Sequence, residues 1–163
     1  MIVGHGDIAS VLNDRHGVIF FASGVSNSAE TSPAEFNKEH NLLENVWHNV
    51  DPDMCLFYFS TITKYEKDSP YLRHKSEMEM HIRNLWKYYC ILRIGNITWG
   101  KNPNTFLNKM RLMKFRGEQL NIRDEYKYMI TQKDLGVLTD CLPTYGQFEI
   151  CAFSYMSKVK DLL

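Results

Sequence analysis

Apolar residues in this chain fall into two patterns. In "GVIFFAS" (17–23), "MCLFYFS" (54–60) and "YYCILRIGNI" (88–97) they form short unbroken runs. Such runs are expected of strands covered on both faces. In "SPAEFNKEHNLLENVWHNV" (32–50) and "SPYLRHKSEMEMHIRNLWK" (69–87) they recur every three or four positions. That spacing predicts helices, the first with Ser32 as N-cap ahead of Pro33. "MIV" predicts a first short strand, followed by a glycine turn and a short helical piece in "DIASVLND". Downstream, "NPNTFLNKMRLMKF" predicts a helix opened by an Asn-Pro turn. A short polar strand pair follows around "EQLNIRDEYKYMI", then a helix at "KDLGVLTDCL", a strand at "GQFEICAF" and a terminal "SKVKDLL". Buried strands alternating with helices imply α/β architecture: a doubly wound parallel sheet of about five strands with helices on both faces. No repeat or linker divides the 163 residues. One domain is expected.

Composition narrows the partners. The 19 basic and 19 acidic residues cancel, so neither nucleic acid nor an anionic membrane is an expected partner. No apolar run is long enough to span a bilayer. "MIVGHG" enters a motif too early for a secretory leader. Cys55, Cys90, Cys141 and Cys151 form no CxxC pair. Buried reduced thiols are expected, and with them a cytoplasmic location. The six histidines show no close pairing along the chain, so no metal centre is predicted.

The glycine turn carries the first candidate chemistry. "IVGHGDIA" runs from strand into Gly4-x-Gly6-x-x-Ala9. In a dinucleotide site the first glycine allows a tight turn and the second lets backbone approach a pyrophosphate. The third small residue lets helix and strand pack closely. The acidic residue expected about 20 positions on, to hold a ribose, has no counterpart. The chain passes from Asp14 almost directly to "GVIFFASGVSNS".

The second candidate lies at the end of the "FYFSTITKY" strand. Ser60 and Thr61 stand where open α/β sheets place ligands. Tyr71 and Lys75 follow, one helical turn apart. A neighbouring ammonium lowers a phenol pKa. The phenol then exchanges a proton with a substrate oxygen that the strand-end hydroxyl orients. Tyr-x-x-x-Lys alone is a weak signal in a chain with 9 tyrosines.

Taken together, "IVGHGDIA", "VIFFASG", "FSTITKY", "SPYLRHKSEME", "ILRIGNITWG" and "YMITQKDLGVLTDCL" resemble, in order and spacing, the extended short-chain dehydrogenases/reductases. The resemblance is to their nucleotide-sugar epimerase and reductase side. It implies a reduced Rossmann-type fold and an NAD(P)-dependent reductase or epimerase acting on a nucleotide sugar or sugar, with NAD or NADP as cofactor. Tyr71 matches the acid/base and Lys75 its partner, which also touches the nicotinamide ribose. Thr61 matches the catalytic hydroxyl, with Ser60 as the competing register. Gly4, Gly6 and Ala9 match the pyrophosphate turn. "VIFFASG", and with it Ala22, Ser23 and Gly24, matches the strand end near the cofactor ribose. Asn96 is a substrate or nicotinamide contact.

The departures from the family pattern are specific. Ile62 and Thr63 stand where family dehydratases carry an Asp-Glu pair, so dehydration is not expected. Two strand–helix units of the family's N-terminal half have no counterpart, and the single domain has only a small substrate-side portion over about 101–145. The alternative is a degenerate relative that binds a nucleotide sugar, or serves in assembly, without redox activity. A homodimer through the Tyr71–Lys75 helix and the 33–48 helix is the family's habit, with Glu77, Met78, Met80 and Trp86 as candidates for the face or for the sheet-facing core. Lys109, Arg111, Lys114 and Arg116 read as a solvated helix face, the alternative being a grip on diphosphate. His5 reads as exposed and Arg93 as a structural donor.

Overall fold

A computed structural model of the chain describes residues 1–65, 68–120 and 125–162. The apolar runs become β2 (Val18–Phe21), β3 (Cys55–Thr61) and β4 (Tyr89–Ile94). With β1 (Ile2–Val3) and β7 (Gln147–Ala152) they form one parallel sheet in the order β1-β2-β3-β4-β7. Every residue of β2 and β4 is buried, as is β3 up to Ser60. That is why these segments read as unbroken apolar runs.

The two faces hold separate cores. Ile19, Phe21, Leu56, Tyr58 and Ile91 pack under α1 (Pro33–Asn49) and α2 (Pro70–Leu85) through Leu43, Met78, Ile82 and Trp86. Met78 and Trp86 are therefore sheet-facing core, whereas Met80 is exposed. Val18, Phe20, Phe57, Cys90 and Leu92 face the other way, toward Leu12 and Leu135 of α4 (Gln132–Cys141). Helices on both faces of a parallel sheet are the architecture the hydrophobic pattern predicts. The strand order runs in one direction from β1, so among the described residues the sheet has one flank of a doubly wound fold.

A second, three-stranded sheet stands at the carboxyl ends of the main strands. It joins β5 (Asn96–Ile97), β6 (Tyr126–Ile130) and β8 (Tyr155–Lys158). The helix α3 (Phe106–Phe115) precedes β6. Of the expected polar strand pair, β6 is observed; residues 121–124 lie outside the described residues.

Local signals account for several boundaries. Ser69 caps α2 by accepting from Leu72 N at 3.2 Å, with Pro70 in the first turn. Ser32 precedes Pro33 as expected, but its side chain makes no capping bond. Glu30 accepts from Thr31 N and Ser32 N instead, both at 2.9 Å. Cys55 and Cys90 are buried, and burial pushes their thiols up to about 11 and about 12. Cys141 and Cys151 are exposed, so burial holds for half of the cysteines. Among the described residues, no helix is long and apolar enough to cross a membrane.

Candidate functional site

The ends of β1, β2, β3 and β4 converge on a cavity of about 750 Å³, with α3 and the small sheet opposite. Gly6, Ala22, Ser23, Gly24, Ser60, Thr61, Tyr71, Lys75 and Asn96 all line it. Gly4 and Ala9 sit behind the wall. Gly4 has φ +119°, and a Cβ there would fall 2.5 Å from Ala22 O. Only glycine lets the turn lie this close to β2. Gly6 has open space on the side where a Cβ would stand. Ala9 opens a three-residue 3-10 turn, Ala9–Val11, in place of the expected longer helical piece. So short a turn supplies little helix dipole to an anion.

The strand-end hydroxyls divide. Ser60 donates to Glu79 Oε1 at 2.7 Å within a buried ion network. Arg93 bonds the same carboxylate at 3.0 and 2.6 Å, and Glu149 at 2.6 Å. Arg93 is the structural donor its sequence position suggested. Successive strand residues face opposite sides, and Thr61 lies half-buried on the cavity with its Oγ1 2.9 Å from Thr63 Oγ1. Of the two strand-end hydroxyls, Thr61 is the one that bonds to Thr63 and stays outside the Glu79 network. Asn96 donates to Tyr128 O at 3.2 Å, tying β5 to β6 at the cavity rim.

Tyr71 and Lys75 are both buried, and the ammonium lies 5.8 Å from the Tyr71 ring centroid. The expected acidified phenol is not what results. Burial raises the Tyr71 pKa; the Lys75 charge opposes that shift and the Glu39 charge adds to it. The Lys75 charge is shared with Glu39, a buried carboxylate of α1 that sequence reasoning missed. Lys75 Nζ donates to its two oxygens at 2.9 and 3.2 Å and to Tyr58 Oη at 3.1 Å. Glu39 also accepts from Tyr58 Oη and Val25 N, both at 2.7 Å, and its Oε2 lies 2.9 Å from His74 Nε2. Burial alone would raise the Glu39 pKa, but the Lys75 charge and these hydrogen bonds hold it well below the usual carboxylate range. A Cβ on Gly24 would meet Lys75 Nζ at 2.7 Å and Glu39 Oε1 at 2.8 Å. The loop after β2 therefore closes directly over the ion pair. A periodicity reading assigns Glu39 to a solvated helix face; its burial depends on a cation one helix away.

At the other end of the cavity, Asp7 replaces backbone freedom with a tie. Its carboxylate accepts from Lys101 N and Asn102 N, both at 3.0 Å, and its carbonyl accepts from Trp99 Nε1 at 2.9 Å. These bonds fasten the segment after β5 to the glycine turn. His5 is exposed at this mouth, and Lys109 of α3 lines the opposite wall. Arg111, Lys114 and Arg116 are exposed, as a solvated helix face requires.

No family model matches the chain, and no curated protein matches it in sequence. Solved structures do match in fold. The Bordetella bronchiseptica enzyme WbmH, determined with NAD+, aligns with a TM-score of 0.68 at 13% identity, over 89% of this chain and 55% of that one. The dTDP-4-dehydrorhamnose reductase of Bacillus anthracis, in complex with NADP, aligns at 0.65 and 18% identity, over 90% and 61%. The UDP-N-acetylglucosamine 4-epimerase of Methanobrevibacter ruminantium, with UDP-N-acetylmuramic acid, aligns at 0.64 and 15%, over 96% and 61%. The chain thus spans rather more than half the length of these proteins and shares with that part of them a Rossmann-like fold.

Proposed function

We propose that the protein is an NAD(P)-linked reductase or epimerase of nucleotide sugars, with the reductive direction favoured. The observation that carries this reading is the single cavity that gathers Thr61, Tyr71, the Ala22–Gly24 loop and the open face of Gly6. These residues fit the reactive half of a nicotinamide dinucleotide: small residues leave room for backbone approach, and the cavity runs unbroken from the glycine turn to the phenol. When bound, such a cofactor supplies the hydride.

The chain's own residues supply the proton and the geometry. Tyr71, whose pKa burial raises further above its ordinary value, serves as a proton donor to a substrate oxygen. Thr61, half-buried on the same cavity, orients that oxygen. Ser60, committed to Glu79, stays out of the chemistry. Lys75 acts through Glu39 and the loop after β2, so it positions the wall. Lys109 and Lys127, both on the small-sheet side of the cavity, face the space a diphosphate would take.

A second reading, a nucleotide-sugar binding module without redox chemistry, draws on one observation. Glu39 takes the ammonium that the family pattern assigns to the nicotinamide ribose. One titration separates the two. Trp99, bonded to Asp7 at the cavity mouth, serves as the fluorescence reporter for NADH, NADPH and a UDP-sugar added singly, with Trp99→Phe as the control. Saturable quenching by a reduced nicotinamide, followed by its oxidation on adding a keto-sugar nucleotide and loss of that turnover in Tyr71→Phe, supports the enzyme. Quenching by the UDP-sugar alone, with neither reduced nicotinamide binding up to millimolar concentration, replaces it with the binding module.

A further inference from the structure

Away from the cavity, α1 and α2 bring together three side chains that neither proposed activity uses. His40 and Glu44 stand one turn apart on α1, and His81 faces them from α2. All three are half-buried, and one donor atom from each lies within 4.8 Å of the other two. The His40 and His81 rings are 4.4 Å apart at 38°. His81 Nε2 lies 2.7 Å from Glu44 Oε1, yet this buried nitrogen makes no hydrogen bond among the described residues. An ordinary ion pair would align an N–H with the carboxylate, and a buried nitrogen without such a partner is costly. A metal ion between the nitrogen and the oxygens removes that cost.

We infer that His40, Glu44 and His81 form a binding site for a divalent transition metal of the zinc class, which clamps α1 to α2. Two imidazoles and a carboxylate are a zinc-type donor set. Tetrahedral zinc with bonds of about 2.0–2.2 Å places its donor atoms about 3.3–3.5 Å apart. One separation here is 2.7 Å and none exceeds 4.8 Å, so side-chain rotations suffice to close the site. Residues at i and i+4 share a helix face, which fixes two donors, and the neighbouring helix delivers the third. The fourth position is left to water or to His48, one turn further along α1 with its Nε2 3.8 Å from Glu44 Oε2. The histidines are too far apart in sequence to announce the site; only the contact of α1 with α2 pairs them.

The test uses the full chain, stripped with a chelator, titrated with Co²⁺ for its visible d–d absorption and with Zn²⁺ for thermal stability. Co²⁺ should develop tetrahedral or five-coordinate bands at one equivalent, displaced by Zn²⁺. Saturating Zn²⁺ should raise the Tm by about 5–10 °C. His40→Gln and His81→Gln, whose metal-free Tm values show whether they are folded, should each weaken binding by at least about 100-fold. His16→Gln, at an exposed site elsewhere, should bind as the parent does. Absence of both bands and Tm shift in the parent overturns the proposal. So does metal binding that survives both substitutions, which would place the ion elsewhere. None of these readouts depends on nicotinamide binding or turnover.

Discussion

The Lys75 ammonium is enclosed by oxygens of its own chain, two from Glu39 and one from Tyr58. Removing one partner of such a pair leaves a charge buried without compensation, at about 3–5 kcal/mol. Glu39→Gln keeps the shape and removes the charge, so it should destabilise the protein by about 3 kcal/mol, read as a lowered urea midpoint at unchanged m-value. Replacing both members, Glu39→Gln with Lys75→Met, should recover part of that loss, because two desolvated charges then disappear together. An unchanged midpoint in Glu39→Gln would show that the ion pair adds no net stability. Tyr71 and Lys75 were visible in the sequence as a helical i, i+4 pair. Glu39 was not: it is 36 positions before Lys75 and reads as one more polar residue on an amphipathic helix. The expected low phenol pKa failed chiefly because Tyr71 is buried: desolvation raises it, the Lys75 charge only opposes that shift, and the Glu39 charge adds to it.

At the scale of elements, α2, β3, β4 and β7 are tied by one network. Ser60 and Arg93 converge on Glu79, while Arg83 and Arg93 both reach Glu149. The Arg83 hydrogen bond, with the Arg93 bond and both charges behind it, lowers the Glu149 pKa from 4.5 to about 2, against a smaller opposing effect of burial. A carboxylate whose pKa is depressed by folding stabilises the native state above its unfolded value and loses that stabilisation as pH falls through the folded value. The contribution of Glu149 is therefore complete above about pH 5 and fades between 4.5 and about 2. Glu39, shifted in the same direction, adds to the same acid limb. A Tm series from pH 7 to pH 2.5 should be level at first and then fall steeply below pH 4.5. In Glu149→Gln the Tm should be lower at neutral pH and the acid fall shallower. Parallel curves for the two proteins would rule Glu149 out as a contributor. The elements themselves were legible because β2, β3 and β4 are buried on both faces and so had to be apolar throughout. The short 3-10 turn after Gly6 was not, since a capable helical sequence over 7–14 is cut short where Leu12 turns into the core under α4.

On the scale of the whole molecule, the cavity lies between two sheets of unequal burial. Its floor is the end of the main sheet, whose strands β3 and β4 are central and sealed on both faces. Its far wall is α3 and the small sheet, where α3 buries only Leu107 and β8 has no buried residue. Local stability follows buried apolar contact, and elements that close on ligands come from the less stable end of that range. The amides of Leu56–Phe59 and Cys90–Leu92 should therefore exchange with solvent only through global unfolding. Those of α3, β6 and β8 should exchange faster, through partial opening that leaves the main sheet intact. A ligand that occupies the cavity touches both walls, so it raises the free energy of opening the far wall as well as that of global unfolding. Saturation with the ligand identified by fluorescence should slow exchange in α3 and β6 and leave β3 unchanged relative to the global rate. Hydrogen exchange followed by mass spectrometry reads both sets at once. Equal protection of β3 and β8 in the free protein would make the two sheets one cooperative unit. The wall carrying Lys109 and Lys127 would then be preformed, and ligand entry would have to proceed through the mouth between His5 and Asn102 without movement of α3.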